Sequence, residues 1–419
     1  MDVDSQSFPH QILAILTHIS QADFVSFDLE LSGIPSRLPR NAPRAAGRAS
    51  LDTRYEEAKA AADKYQILQV GMTCAKFDYL MNRYVLRPYN ITLSSLLDER
   101  LDIEREICFQ SGAAAFLLQH NFDIGATFSK GVQYLSRQEA ADAKRMAYHR
   151  LENKHVVQDV QLTDKDVQSL DFVRRAREAI DVWRANGVAR SLDISTHTGL
   201  TGPPSVPVIS RFEKRLVHQL VRADYPELRT LGRNECIRII RNDPDNEAEH
   251  VRRVKHRVKG QIAKQSGFRW IFEALAGGDL DSLDPFHGGW VITADRTDVK
   301  DQFDRVRHRL KTHQPVLVGH NMFTDIVFFY RCFVGDLPET LHGFCKEIHN
   351  LFPRIIDTKY LATYAEGDLH SSPSLMEISD KLQDQEQPDI STYSFLGVRR
   401  HFHLFIGLLL TQDFELITT

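Results

Sequence analysis

The sequence predicts an α/β protein in which one large domain with a mixed sheet is interrupted by a small inserted α/β module. Three observations support this fold class. The chain has 419 residues, which is more than one domain with a single hydrophobic core typically contains. Its first and last thirds both alternate strand-like and helix-like segments, whereas the middle third differs in pattern. Its 42% hydrophobic and 26% charged residues are ordinary for a globular protein.

The first third predicts a helix, a strand, a second helix and two further strands. Apolar residues at helical spacing indicate the first helix over residues 9–22, and the alternating run "FVSFDLELSGI" (24–34) indicates the strand. A helix is predicted over 53–66, and strands over 67–79 and 82–93. Helices and strands are thus predicted around the strand at 24–34, which carries acidic residues, and this order favours a mixed sheet.

Two acids lie on one face of the predicted opening strand. Asp28 and Glu30 are two positions apart, so their side chains point the same way. Adjacent like charges on a half-buried face repel each other, which is costly unless a positive charge lies between them. A hard divalent cation is the obvious candidate, although exposed strands also carry such pairs.

Two basic stretches have two interpretations each. The segment "PSRLPRNAPRAAGRAS" (35–50) carries four arginines and predicts a loop. It is either a basic lip that holds phosphates beside the acidic strand or a solvated insertion. The basic run at 252–259 is either a solvated helix face or a surface that follows a phosphate backbone.

The middle of the chain predicts the module. Residues 186–207 are rich in glycine, proline, serine and threonine, which indicates a linker. Residues 211–243 then predict a helix, a turn and a short strand, "CIRII". We therefore assign the core domain to 1–185 and 249–419, and the module with its linker to 186–248.

The last third supplies a third carboxylate. In "VLVGHNMFTDIVFF" a buried strand ends at Gly319 and a helix follows, so Asp325 falls in the first helical turn. Its alternative role is to complement the helix dipole. Together with Asp28 and Glu30 it suits Mg²⁺ or Mn²⁺, which prefer oxygen ligands. In "RIIDTKYLA", Asp357 precedes a helix and predicts a cap.

Composition excludes several classes of protein. A formal net charge of −4 argues against a polyanion binder that uses its whole surface, so any nucleic-acid site is a local patch. The five cysteines have no metal-finger spacing and indicate reduced packing residues. No run of 18 apolar residues and no secretion signal is present. We expect a cytosolic or nuclear protein with no membrane partner.

Several segments together resemble one known family. "ADFVSFDLELSGI", "PVLVGHNMFTDIV" and "LFPRIIDTKYLA" resemble, in order and spacing, the motifs of the poly(A)-specific ribonuclease (PARN) family of the DEDD superfamily of 3'-to-5' exonucleases. "FEKRLVHQLVRADYPEL" resembles its inserted Arg-xxx-His module, with Lys214 in the arginine position, four residues before His218. The resemblance covers about residue 8 to about residue 380 and implies an RNase H-like α/β core.

The resemblance also implies a reaction. In this superfamily four acids hold two metal ions that hydrolyse RNA at its 3' end. It implies that Asp28, Glu30 and Asp325 are catalytic and bind two Mg²⁺ ions, with Mn²⁺ as an alternative. It implies removal of 3' poly(A) tails from single-stranded RNA with release of 5'-AMP, by a homodimer found in nucleus and cytoplasm. The substrate-binding residues that we assign beside these acids are Lys359, His320 and Asn321.

The tail departs from the family pattern. The family's last motif, His-Glu-Ala-Gly-aromatic-Asp, supplies the general base and the fourth acid, and this chain lacks it. Alignment on "LLLTQDF" puts Gly407 in the acid position and Phe402 in the histidine position, leaving His401 and His403 as weak candidates for the base. Either the protein is a catalytically impaired pseudonuclease that binds RNA or a partner, or a gene-model error has altered the tail.

A metal-dependent phosphatase is a third class of function. Such an enzyme uses an aspartyl nucleophile in a D-x-D motif with a downstream lysine. The second acid of this motif is Glu30, so the phosphatase fits less well than the exonuclease.

Overall fold

A computed structural model describes residues 1–36, 49–152, 159–187, 189–202, 208–241, 244–284, 286, 296–365, 375–382 and 389–392. The chain divides into two compact units, which are described separately. The first comprises Met1–Ala147 and Val258–Thr419, and the second Tyr148–Arg257.

The elements follow in chain order. Up to residue 152 they are β1 (Asp2–Val3), α1 (Phe8–Gln21), β2 (Phe24–Leu31), α2 (Leu51–Ala62), β3 (Ile67–Asp78), β4 (Arg83–Ser94), a 3₁₀ helix (Glu99–Leu101), α3 (Ser111–Gln119), α4 (Ile124–Ser129), β5 (Val132–Gln133) and α5 (Arg137–Glu152). Between 159 and 241 they are α6 (Val167–Asn186), β6 (Ser191–Ile194), α7 (Arg211–Asp224), β7 (Leu228–Gly232) and β8 (Ile237–Arg241). From 244 onward they are α8 (Pro244–Ser266), α9 (Arg269–Leu275), α10 (Arg296–Thr312), β9 (Val316–Gly319), α11 (Phe323–Phe333), α12 (Leu341–Leu351), β10 (Ile355–Asp357), α13 (Thr358–Ala365), α14 (Leu375–Leu382) and β11 (Asp389–Thr392).

The first unit is built on a mixed sheet, as predicted. Its strand order is β1-β4-β3-β2-β9-β10, and β5 and β11 also pair with β4. The pairs β2–β3 and β3–β4 are antiparallel, whereas β2–β9 and β9–β10 are parallel. This strand arrangement is consistent with the RNase H-like core that the family resemblance implies.

The two faces of this sheet carry different side chains. On one face, Val25, Phe27 and Leu29 of β2 belong to the main hydrophobic core, where Phe27 stacks on Phe329 of α11 with ring centroids 5.2 Å apart. On the other face, Phe24 belongs to a small cluster with residues of β3, β4 and β9. The alternation that the sequence showed in β2 therefore separates the main core from a second, smaller cluster of buried residues on the opposite face.

The second unit has its own core around an antiparallel sheet of order β6-β8-β7. Trp183 of α6, Leu220 of α7 and Ile239 of β8 are buried together in this core. Ser210 and Glu213 form a capping box that begins α7. A helix, a turn and the strand β8 lie where the sequence predicted them.

The module is longer than the sequence indicated. The second unit starts at Tyr148 and ends at Arg257, so it extends beyond the predicted 186–248 on both sides. The apolar face of α6 accounts for this at the N-terminal side, because Phe172 and Ile180 pack in the core of this unit. The predicted linker also contains the strand β6 (Ser191–Ile194), which pairs with β8.

Two further findings concern the cysteines and the possibility of a membrane-spanning helix. All five cysteines are free. Within the residues described above, no helix is both long enough and apolar enough to cross a membrane.

Candidate functional site

Asp28 and Glu30 lie near the carboxyl end of β2, on the face away from the main core. In the antiparallel register Asp28 is opposite Gly71 and Glu30 is opposite Gln69, and the register shifts directly after Glu30. The prediction that both acids share one strand face is confirmed.

The third acid, Asp325, lies at the same end of the sheet, where the parallel strands have their carboxyl ends. Because β2 and β9 are parallel, with Ser26 opposite Val318, both strands end on the same side of the sheet. A tight turn follows β9, and its residue Asn321 adopts a positive φ of 54°. Helix α11 then begins, with the partly buried Asp325 in its first turn. Ligand sites commonly form at the carboxyl ends of parallel strands.

The three acids influence each other electrostatically. Burial raises the pKa of Asp325 to about 7, and the negative charges of Asp28, Asp357 and Glu30 contribute to the increase. The Asp28 carboxylate is open to solvent, yet the surrounding protein atoms partly desolvate it and raise its pKa. Like charges concentrated at a sheet edge are typical of functional sites.

The carboxylates are neighbours without converging on one point. Nowhere in the described ranges do three or more His, Cys, Asp or Glu side chains form a group that could hold a metal ion as they stand. The structure therefore brings together the three predicted acids but leaves their assignment as ligands a prediction. The candidates for the general base, His401 and His403, lie outside the described residues, as does most of the basic loop at 35–50.

The residues predicted to bind substrate lie at this same end of the sheet. The Lys359 ammonium donates to Asn321 Oδ1 over 3.3 Å. His320 Nδ1 lies 3.0 Å from Thr358 Oγ1, which in turn donates to the Gly319 carbonyl oxygen over 3.1 Å. Burial lowers the pKa of His320. This end of the sheet thus combines the three predicted acids and Asp357 with one lysine, one imidazole and one amide.

Asp357 has a role that the sequence only partly revealed. Its Oδ1 accepts the Lys359 backbone N–H over 2.9 Å, so the predicted cap at the start of α13 is confirmed. The carboxylate also accepts the backbone N–H groups of Asn321 and Met322, which belong to the turn after β9. No local sequence signal indicates these two bonds, because they join segments that meet only through the parallel pairing of β9 and β10.

The pair Lys214 and His218 forms contacts within the second unit. Lys214 Nζ donates to the carbonyl oxygens of Arg233 and Asn234, over 2.7 and 2.9 Å. His218 Nδ1 lies 2.6 Å from Thr230 Oγ1 of β7. These bonds connect α7 to β7 and to the turn after it, which is a structural use of the lysine in the arginine position.

Comparison with known protein families gives one match that spans most of the chain. The family model described as CAF1 family ribonuclease matches residues 3–402.

Curated proteins of related sequence include two nucleases. The chain is 24% identical over 416 residues to the pre-piRNA 3'-exonuclease trimmer of Bombyx mori, covering 97% of this chain and 65% of that protein. It is 22% identical over 400 residues to the poly(A)-specific ribonuclease PARN of Homo sapiens, covering 92% of this chain and 55% of that protein. The chain therefore spans between half and two thirds of the length of these relatives.

Among solved structures, that of Schizosaccharomyces pombe Pop2p in its Mg²⁺ and Mn²⁺ bound form is similar with a TM-score of 0.40. The two sequences are 11% identical, and the similarity covers 92% of this chain and 83% of that one.

Proposed function

Because the chain belongs to the CAF1 ribonuclease family, we propose that it is a metal-dependent 3'-to-5' exoribonuclease that shortens single-stranded RNA with a poly(A) 3' end and releases 5'-AMP. The observation that carries this proposal is the approach of Asp28, Glu30 and Asp325 at the carboxyl edge of two parallel strands. The names of the relatives, a 3'-exonuclease and a poly(A)-specific ribonuclease, support the direction and the type of reaction.

The chemistry of the donor set suits Mg²⁺ or Mn²⁺, although the three carboxylates do not converge on one point in this structure. It consists of carboxylate oxygens, which these hard cations prefer, and its mutual repulsion is what a bound cation relieves. Asp28, Glu30 and Asp325 would hold two ions. When bound, such ions activate the attacking water and stabilise charge on the phosphate.

The other polar side chains at this end of the sheet would hold the substrate. The Lys359 ammonium has three N–H donors and uses one of them on Asn321, so donors remain for a phosphate oxygen of the RNA. His320 and Asn321 line the same turn and would position the terminal nucleotide. We further propose a homodimer present in nucleus and cytoplasm, on the family resemblance alone.

The decisive experiment follows the shortening of a 5'-labelled oligo(A) by the purified protein with Mg²⁺. We expect a ladder of products shortened from the 3' end, one nucleotide at a time. Asp28→Ala should slow it by at least about 100-fold, since the site loses a carboxylate that would hold the cations that stabilise charge on the phosphate. Asp301→Ala, which removes an exposed acid of α10, serves as the matched control and should leave the ladder unchanged.

The absence of the family's last His/Asp motif from the sequence favours a second candidate function, a pseudonuclease that binds RNA without cutting it. Binding of oligo(A) with no ladder at any Mg²⁺ or Mn²⁺ concentration would establish this alternative. Loss of the ladder in EDTA and its return with Mg²⁺ would exclude it. Replacing oligo(A) by oligo(U) tests the preference for adenine.

A further inference from the structure

The carboxylate of Asp357 joins the end of β10 to the turn between β9 and α11. Its Oδ1 accepts the backbone N–H of Asn321 over 2.9 Å, and its Oδ2 accepts that of Met322 over 3.1 Å. Oδ1 also accepts the Lys359 N–H over 2.9 Å. One side chain therefore holds two consecutive amides of a turn that lies 35 residues before it in the sequence.

The two residues after Asp357 contact the same turn. Thr358 is fully buried, and its hydroxyl donates to the Gly319 carbonyl oxygen over 3.1 Å. The Lys359 ammonium reaches the Asn321 side-chain oxygen over 3.3 Å. We call these contacts of residues 357–359 with residues 319–322 the turn clamp. The clamp holds a backbone that includes Asn321 at positive φ, a conformation that side chains other than glycine seldom adopt.

The clamp ends where the helix with the third acid begins. Met322 is the N-cap residue of α11, and its carbonyl oxygen accepts the Ile326 N–H over 2.9 Å. Asp325 lies three residues after Met322, within the first turn. Any movement of the turn therefore displaces the Asp325 carboxylate relative to Asp28 and Glu30, which are carried by the neighbouring strand β2. Misplacement by about 1 Å can cost about 100-fold in an enzyme rate.

We propose that Asp357 is a positioning residue, which fixes the geometry of Asp325 in the metal site through the turn clamp, and not itself a metal ligand. This inference rests on the proposed function, because it presumes that the three acids bind divalent cations. The hydrogen bonds support it: Oδ1 accepts two N–H groups and Oδ2 accepts a third, so these three bonds occupy most of the lone pairs of the carboxylate. Groups that orient metal ligands in this way commonly contribute 10-fold to 100-fold to metal affinity.

The test measures Mn²⁺ binding to the purified full chain by electron paramagnetic resonance, with the metal alone and no RNA. Asp357→Asn replaces one acceptor oxygen by an amide that faces a backbone N–H, so we expect about 10-fold weaker Mn²⁺ binding. Asp357→Ser keeps a hydroxyl that can cap α13 but is too short to hold the turn. It should fold and should also bind Mn²⁺ about 10-fold more weakly. Asp325→Asn should bind much more weakly than either.

The matched control is Asp4→Asn. The Asp4 carboxylate also accepts two backbone N–H groups, those of Gln6 and Ser7, over 3.0 and 2.8 Å. Its loss should lower the melting temperature without changing the Mn²⁺ affinity of the folded protein. A purely structural role for Asp357 would produce this same result, whereas a positioning role changes the affinity.

Three outcomes overturn the inference. Unchanged Mn²⁺ affinity in both Asp357 variants removes the positioning role while leaving the proposed function intact. Affinity losses as large as that of Asp325→Asn make Asp357 a ligand. Failure of the wild-type chain to bind Mn²⁺ overturns the proposed metal site together with this inference, and the wild-type measurement alone distinguishes that case.

Discussion

The acids of the candidate site should destabilise the metal-free fold, and Asp325→Asn should reverse this. The pKa of Asp325 rises from its ordinary 3.8 to about 7 in the folded protein. In the unfolded chain the carboxyl loses its proton near its ordinary pKa, so stability falls as pH rises from about 3.8 to about 7. Above pH 7 the whole penalty is present.

The magnitude follows from this interval. Each pH unit between the two pKa values is worth about 1.4 kcal/mol, which gives an upper limit of about 4 kcal/mol for Asp325. Because the carboxylate is only partly buried, solvent screens part of this electrostatic penalty. We therefore expect the Asp325 charge to destabilise the fold by about 2 kcal/mol. Asn keeps the shape of Asp, so the variant should gain this amount at about pH 8 and little at about pH 4.5.

The assay is urea unfolding in EDTA at both pH values, followed by circular dichroism. Asp301→Asn, an exposed acid of α10, serves as the control and should change stability by less than about 0.5 kcal/mol. Added Mn²⁺ should stabilise the wild type more than Asp325→Asn at pH 8, because bound cations neutralise the same repulsion. An Asp325→Asn variant no more stable than the wild type at pH 8, or equally stabilised at pH 4.5, would refute the reasoning.

Three further predictions concern parts of the first unit away from the site. Burial and Arg87 lower the pKa of His18 to about 4, so the folded protein resists protonation and loses stability as pH falls from about 6.5 to about 4. His18→Gln should therefore lose about 1 kcal/mol less than the wild type between pH 7 and pH 5 in urea titrations, because solvent screens part of an upper limit of about 2 kcal/mol at this partly exposed side chain. Gly267 has φ of 45°, and a Cβ there would lie 1.9 Å from the Gln133 carbonyl oxygen, so Gly267→Ala should lower stability by about 3 kcal/mol or more in thermal unfolding. Glu273→Gln should cost about 3 kcal/mol by the same measurement, because this buried carboxylate accepts two bonds from Arg137, over 3.0 and 2.6 Å.

Each of these changes has a control in the same chain. His308→Gln replaces an exposed histidine of α10 and should leave the pH dependence of stability unchanged. Gly260→Ala adds a Cβ to α8 that would meet no heavy atom within 4 Å apart from its chain neighbours and the nearby helix backbone, and should stabilise the protein slightly. Glu56→Gln changes an exposed acid of α2 and should be neutral. Equal effects in a variant and its control would contradict the proposed cause.

Local patterns predicted β2 and α11 well because those patterns directly reflect burial. Alternation in "FVSFDLELSGI" marks the two faces of β2, and the long apolar run after Asp325 marks a helix buried against the core. The family resemblance, confirmed by the match over residues 3–402, joined these segments into one domain before any contact was known.

Other features depend on partners far away in the sequence. The strand β6 is four residues long and exists because β8 pairs with it, so its own composition indicated only a linker. The two bonds from Asp357 to the turn after β9 are equally non-local. Tertiary pairing decided both cases, and local propensity could not reveal either.

The parallel pairing of β2 with β9 also determines when the sheet can be completed. Residues 24–26 pair with residues 316–318, so during synthesis β3 can cover one edge of β2 long before β9 exists to cover the other. Until then β2 presents an open strand edge, which can pair with another chain. Such distant pairings fold slowly and favour aggregation of incomplete chains. Fragments that end before residue 316 should therefore be prone to aggregate, and the acids of β2 acquire Asp325 only after β9 and the first turn of α11 have been synthesised.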